Sequence, residues 1–236
     1  MKKYILWDFD CTLAYRDGKW SKTMNDILVS HRINIAYDTL KAFMSRGLPW
    51  HEFDKSHTEL LGNKTWWEHI EKHLTDVFMK LGIKEGNAKS FAKEFKESYL
   101  DITKWHVYDD VKETLEILSK EGYTHVIASN HVPELQDLCE QLEIDQYFEK
   151  IYTSALMEYD KPNVKFYQEI LNDLDDPSDI IMVGDNYNAD IRGAQHAGIP
   201  AILVRSDNAL HYAYYSKDLA GVITQLEKIE KAKVMA

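Results

Sequence analysis

Residues 4–7, Tyr-Ile-Leu-Trp, form an uninterrupted apolar run that breaks directly into Asp8-Phe9-Asp10. A short run without polar alternation predicts a strand covered on both faces, as in parallel sheets flanked by helices. Residues two apart on an extended chain point the same way, so Asp8 and Asp10 should project together from the strand's end. Cys11-Thr12-Leu13 then turns the chain away. Two carboxylates at one strand tip repel each other and lose hydration unless something cationic sits with them. The pair therefore predicts a metal site, or an acid/base pair with separated pKa values.

The pattern recurs. His125-Val126-Ile127-Ala128 runs into Ser129-Asn130, and Ile180-Ile181-Met182-Val183 runs into Gly184-Asp185, with Asn186 next and Asp190 beyond. Between them lies Asp160-Lys161-Pro162, just ahead of a helical pattern. Each strand-ending member sits where open parallel sheets bind ligands, outside the carboxyl ends of the strands.

In this order the residues resemble the four motifs of the haloacid dehalogenase-like hydrolase superfamily. Asp8-Phe9-Asp10-Cys11-Thr12 is similar to the first motif, Ser129 to the second, Lys161 to the third, and Gly184-Asp185 with Asp190 to the fourth. The likeness spans residues 4 to about 205. One departure is Cys11, where the family usually has Gly. A Cys carries a Cβ, so a positive φ there is strained.

The motif spacing locates an accessory domain. More than a hundred residues separate Asp10 from Ser129, whereas about thirty separate Ser129 from Lys161, enough for one helix and a short strand. The insertion is expected over residues 15–105 and reads helical throughout. Patterns run from Trp20 to Arg46, from Asp54 to Leu60, from a cap at Thr65 to Gly82, and from Asn87 to Leu100. Such an insertion resembles the family's helical cap. Residues 1–14 and 106–236 alternate strand and helix, which predicts an α/β doubly wound, mostly parallel sheet. Asp109 or Asp110 can cap the first core helix, Pro200 to Val204 makes a final strand, and Leu210 to Ala236 reads as a terminal helix.

Composition bounds the function. The formal charge of −11 argues against nucleic acid as a partner, because phosphate backbones are bound by clustered Lys and Arg. A small phosphorylated metabolite stays compatible, since screening over about 8 Å leaves local charge in control. Two cysteines, Cys11 and Cys139, offer no disulfide framework. No apolar stretch approaches the roughly 18 residues of a membrane helix. The run behind Met1-Lys2-Lys3 stops at Asp8, too short for a signal sequence. A cytoplasmic chain without membrane contact is expected, and the oligomeric state is unreadable.

The resemblance implies a phosphatase. Asp8 would be the nucleophile, forming an aspartyl-phosphate, and Asp10 the general acid and base. Thr12, Ser129, Asn130 and Lys161 would hold phosphoryl oxygens. Asp8, the Asp10 carbonyl and Asp185 would bind Mg²⁺, whose preference is for a few hard oxygen ligands. Gly184 would let the backbone approach the metal, Asn186 would support the site, and Asp190 would be a water-mediated ligand or the orienting partner of Lys161. Candidates for reading a leaving group are Arg16, Arg46 and Trp66, with Trp20, Trp67 and His57. A phosphomutase keeps the same residues, and a phosphonatase would need a cap lysine such as Lys55 or Lys64. A non-catalytic phospho-accepting receiver is a rival from another class, but it lacks a long helical insertion after its first strand.

Overall fold

A computed structural model describes residues 2–177 and 179–235. Met1 and Ala236, at the two ends of the patterns read above, lie outside the described residues. Strand β1 (Lys3–Trp7) is followed by β2 (Ala14–Arg16) and helices α1 (Lys19–Ser30), α2 (Tyr37–Met44), α3 (Asn63–Lys80) and α4 (Glu85–Leu100). Then come β3 (Trp105–Val107), α5 (Val111–Lys120), β4 (Tyr123–Ser129), α6 (Leu135–Gln141), β5 (Phe148–Thr153) and α7 (Val164–Asp173). The chain ends with β6 (Asp179–Gly184), α8 (Gly193–His196), β7 (Ala201–Val204), β8 (Tyr215–Ser216) and α9 (Val222–Met235).

The main sheet has the order β5-β4-β1-β6-β7-β8, and every pairing in it is parallel. Its α/β, doubly wound character follows from burial on both faces. Ile5 and Trp7 of β1 pack with Leu115, Leu138 and Leu226, while Tyr4 and Leu6 pack with Phe166, Tyr167 and Ile170. Polar alternation is absent because neither face meets water.

Register makes the site. Trp7 pairs with Ile127 of β4 and with Val183 of β6, so the three strand ends lie level. β1 is central, and its tip opens between the two directions of sheet growth, the switch point where such sheets bind ligands.

The insertion is not helical at its ends. β2 and β3 pair antiparallel as a two-stranded ribbon, so the expected boundaries at 14/15 and 105/106 fall inside its strands. The single pattern from Trp20 to Arg46 is two helices, α1 and α2, and Asp54–Leu60 holds only a short 3₁₀ turn at Thr58–Leu60. α3 begins at Asn63 behind Gly62 rather than at a Thr65 cap. Trp20, Leu74, Phe78 and Phe95 continue the same apolar cluster that covers one sheet face. Polar ties also hold this cap over the strand ends. Trp67 Nε1 donates to Glu134 Oε2 at 2.9 Å, Lys96 Nζ lies 2.6 Å from Glu134 Oε1, and the His57 amide donates to the Glu158 carbonyl at 2.7 Å.

Two further expectations change. Asp110 precedes α5, but its carboxylate pairs with Arg205 and accepts from the Leu219 amide at 2.8 Å. The segment after Leu210 first adds β8 to the sheet, and its helix begins only at Val222. The Ser216 hydroxyl donates to the Asp218 carbonyl at 2.7 Å and packs where a Cβ on Gly221 would stand, forcing a turn there. No described helix is long and apolar enough to cross a membrane.

Candidate active site

Asp8 follows β1, and its amide donates to the Val183 carbonyl at 2.9 Å, extending the strand by one residue. Its carboxylate is buried. Ser129 Oγ, at the end of β4, donates to Asp8 Oδ1 at 2.8 Å, and Lys161 Nζ donates to the same oxygen at 2.8 Å. Burial opposes ionisation of Asp8, but the Lys161 charge and the two donors outweigh it and hold the carboxyl below its ordinary pKa.

Lys161 is itself 2% exposed and also reaches Asp190 Oδ1 at 2.6 Å and the Ala128 carbonyl at 2.8 Å. Burial alone would discharge it, yet Asp190 and Asp8 keep its pKa raised. Asn130 clamps the lysine's backbone: its Oδ1 accepts from the Lys161 amide at 2.8 Å and its Nδ2 donates to the Lys161 carbonyl at 2.9 Å. The Asn130 side chain thus positions Lys161, and the residue also lines the cavity over Asp8.

Beyond β6, Asn186 Oδ1 accepts from the amides of Asn188 and Ala189, both at 3.0 Å, and starts a π-turn over Tyr187–Arg192. That turn carries Asp190 back toward the sheet, where its Oδ2 accepts from the Asn186 amide at 2.9 Å. A Cβ on Gly184 would collide with the Asp190 carboxylate. The glycine therefore makes room for Asp190 beside the carboxylate cluster.

Oxygens of Asp8, Asp185 and Asp190 lie within 4.8 Å of one another. Burial, then the charges of Asp8 and Asp190, push the Asp185 carboxyl up to about 8. Burial likewise raises Asp190 to about 6, although Lys161 opposes it. A carboxylate cluster that resists its own ionisation is short of positive charge, and its hard oxygens suit Mg²⁺. Asp190 is already bonded to Lys161 and Asn186, which leaves Asp8 and Asp185 as the side chains to hold the ion.

Asp10 stands across the same cavity, of about 220 Å³, which Lys19, Trp20 and Trp50 also line. Asp10 Oδ2 lies 3.5 Å from Lys19 Nζ, and its buried Oδ1 has no hydrogen-bond partner. Lys19 begins α1 and thus brings a cap cation to the core carboxylates. Burial disfavours its charge, but Asp10 and then Cys11 and Asp185 hold its pKa raised. Lys19 and Trp50 were missed in the sequence, because the first opens a helix without a motif and the second follows the Gly47-Leu48-Pro49 break.

The other expected residues lie off the cavity wall. Thr12 is fully buried, with its hydroxyl unpartnered and its carbonyl accepting from Arg205 Nε at 3.0 Å. Arg16 is buried under the cap and donates to the carbonyls of Lys19 and Ser98 at 3.3 and 3.0 Å. Trp66 is buried against Trp20 and Trp67, and Arg46 lines a separate cavity with Phe43 and His73. His57 Nε2 lies 3.3 Å from Asp160 Oδ2, and Trp67 donates to Glu134. Assigning recognition to Arg16, Arg46 or Trp66 is therefore corrected: apolar packing or backbone bonds have claimed Arg16 and Trp66, and Arg46 is exposed elsewhere.

Cys11 adopts φ 64° and its amide donates to the Ala14 carbonyl at 2.7 Å, closing the turn after the two aspartates. A side chain in that region costs about 1–2 kcal/mol. Cys11→Gly is expected to leave stability unchanged or raise it by up to about 1 kcal/mol, since glycine's larger unfolded-state freedom offsets part of the relief. Denaturant unfolding measures this, and a loss of stability would contradict it.

A family model for haloacid dehalogenase-like hydrolases matches residues 5–204. Mouse haloacid dehalogenase-like hydrolase domain-containing protein 3 is 26% identical over 155 residues, covering 65% of this chain and 61% of that protein. The glyceraldehyde 3-phosphate phosphatase of Methanothermobacter thermautotrophicus is 33% identical over 102 residues, 42% of this chain and 45% of that one. The chain thus spans about three fifths or less of these relatives' lengths. Among solved structures, the magnesium-bound HAD-hydrolase YfnB of Bacillus subtilis superposes with a TM-score of 0.73 at 18% identity, covering 96% of this chain and 99% of that one. The match over the segment that holds all four motifs, on this fold, shows that the chain belongs to the haloacid dehalogenase-like hydrolase family.

Proposed function

We propose that the protein is a Mg²⁺-dependent phosphomonoester hydrolase that acts on a small phosphorylated metabolite through an aspartyl-phosphate. The observation that carries this reading is the buried Asp8 carboxylate, gripped through one oxygen by Ser129 and Lys161, in one cavity with Asp10 and Asp185. Both donors take Oδ1, which leaves Oδ2 to attack. Asp8 attacks phosphorus, the ester P–O bond breaks, and Asp10 gives its proton to the leaving oxygen. Asp10 then takes a proton from water, which attacks phosphorus, breaks the bond to Asp8 and releases inorganic phosphate. The partnerless Asp10 Oδ1 suits this work, because a transient partner is what the leaving group and the water supply. Ser129 and Lys161, preset at Asp8, favour the charge that develops on the transferring group. Mg²⁺ bound by Asp8 and Asp185 would supply further neutralisation. The likeness to phosphatases of other organisms supports the same chemistry. A panel of phosphomonoesters assayed for phosphate release with Mg²⁺ tests it, and release from none of them would refute it.

Chelation with excess EDTA is expected to abolish phosphate release, Mg²⁺ to restore it, and Ca²⁺ to inhibit. Ca²⁺ takes about 6–8 ligands and can engage both Asp8 oxygens, including the attacking one. Protonation at Asp185 adds a pH signature. Its pKa is raised above the ordinary carboxyl range, so the metal-free fold favours the protonated form. That stabilisation is complete in acid and is lost as pH rises through about 8. Mg²⁺ competes with this proton, so its effect on the melting temperature should grow with pH up to about 8. Thermal scans with and without Mg²⁺ measure this, and an effect that shrank toward alkaline pH would contradict it.

A further inference from the structure

The cavity that holds the carboxylates continues into a larger one of about 680 Å³ between cap and core. The two share Trp50, Asn130, Lys161, Asn186 and Ala189, so the outer space opens directly from the phosphoryl site. Its cap wall is aromatic: Trp50 and, next along, Phe53, which is 40% exposed although large and apolar. Trp50 is held from behind, edge-on to Trp20 with ring centroids 5.3 Å apart. Its turn is pinned by the Leu48 amide, which donates to His51 Nδ1 at 3.2 Å. The core wall is polar, with Asn188, Arg192 and His196, of which Arg192 and His196 are exposed side chains of the π-turn and α8.

Each feature restricts the leaving group. The inner space must hold the phosphoryl group, so the outer space is what receives the leaving group. A leaving group as small as glycolate or glycerol would fill little of the 680 Å³. An outer cavity within the roughly 300–1,000 Å³ range of small-molecule sites asks for a spacer followed by a flat group. A partly buried tryptophan on the cavity wall, packed edge-on to Trp20, suits stacking, and amide, guanidinium and imidazole groups opposite offer hydrogen bonds to ring edges. We propose that the preferred substrates are nucleoside monophosphates, with the base stacked on Trp50 and its polar edge facing Arg192 and Asn188. This deepens the phosphomonoesterase reading and rests on it for the chemistry.

The test compares kcat/KM for AMP and UMP with that for glycerol 3-phosphate, glucose 6-phosphate and phosphotyrosine, together with calorimetric binding of AMP to the full chain. At least one nucleotide should exceed every other ester by about tenfold or more. Trp50→Ala should lower nucleotide kcat/KM by about 10- to 100-fold, chiefly through KM, and weaken AMP binding equally, as loss of one base–aromatic stack would. Trp50→Phe, which keeps a ring, should recover most of it. Arg192→Ala, a surface change that tests the pocket independently of Trp50 packing, should raise nucleotide KM several-fold. Preference for a sugar phosphate, a glycerol ester or phosphotyrosine would overturn the proposal, as would a Trp50→Ala loss equal for all esters. Should no ester release phosphate while AMP binds in a Trp50-dependent way, the hydrolase reading fails and the nucleotide site stands.

Discussion

Asp8→Asn should reduce phosphate release by about 10⁴-fold or more, the scale seen when a covalent nucleophile is removed. An amide has no negative oxygen to attack phosphorus, and among the described residues no other carboxylate shares the Asp8 position between Ser129 and Lys161. The fold should survive. Asp190 still neutralises Lys161 at 2.6 Å, and one negative charge fewer relieves Asp185 and Asp190, whose pKa values Asp8 helps to raise. Thermal melting of the metal-free variant should therefore match or exceed that of the parent chain, which separates lost chemistry from lost structure. Asp10→Asn is expected to be milder, about 10²–10⁴-fold, because it removes proton transfer and leaves the nucleophile. With slower water attack, the phosphorylated chain should accumulate and be visible by intact mass after quenching. Wild-type turnover in Asp8→Asn would end the mechanism. A phospho-adduct that persisted on the parent chain without release of phosphate would favour the receiver-like alternative.

Lys161→Met should carry the largest stability loss, about 3–5 kcal/mol, together with loss of activity. The methionine fills similar volume, but it strands two buried carboxylates, Asp8 and Asp190, that now share one ammonium at 2.8 and 2.6 Å. Breaking a buried pair by deleting one partner leaves an uncompensated charge, which is where a cost of that size arises. Two controls tie the loss to charge. Adding Asp190→Asn should restore part of the stability, so that the two changes are not additive. Acid should also narrow the gap between variant and parent, since protonation discharges the stranded carboxylates. Urea unfolding with linear extrapolation measures the parent chain, Lys161→Met, Asp190→Asn and the double variant. A simple sum of single effects would show that Lys161 and Asp190 act independently.

The sheet and the carboxylates at its strand ends were legible because both are local facts. A two-face-buried strand has to be written as an apolar run, and the polar residue that ends it has only one place to go. That logic located Asp8, Ser129 and Asp185 at the level ends of β1, β4 and β6, and the long gap before Ser129 located the cap. It failed where chain segments compete for one surface. The ribbon of β2 and β3 is too short for a period to be read, and the segment from Leu210 reads helical in isolation although the open edge of β7 recruits Tyr215 and Ser216 as a strand.

The cap residues mark the same division. Arg16 and Trp66 carry the chemistry a substrate reader needs, but the fold spends them on the Ser98 carbonyl and on packing against Trp20. Trp50 and Lys19 carry no motif and stand on the cavity wall because the cap is docked by Trp67, Lys96 and His57 onto Glu134 and Glu158. By itself the sequence determined which chemistry the strand ends hold, since hydrophobic periodicity and residue type are properties of neighbours along the chain. Only the tertiary structure decided which side chains line the cleft, because exposure to a cleft depends on how two distant surfaces are pressed together.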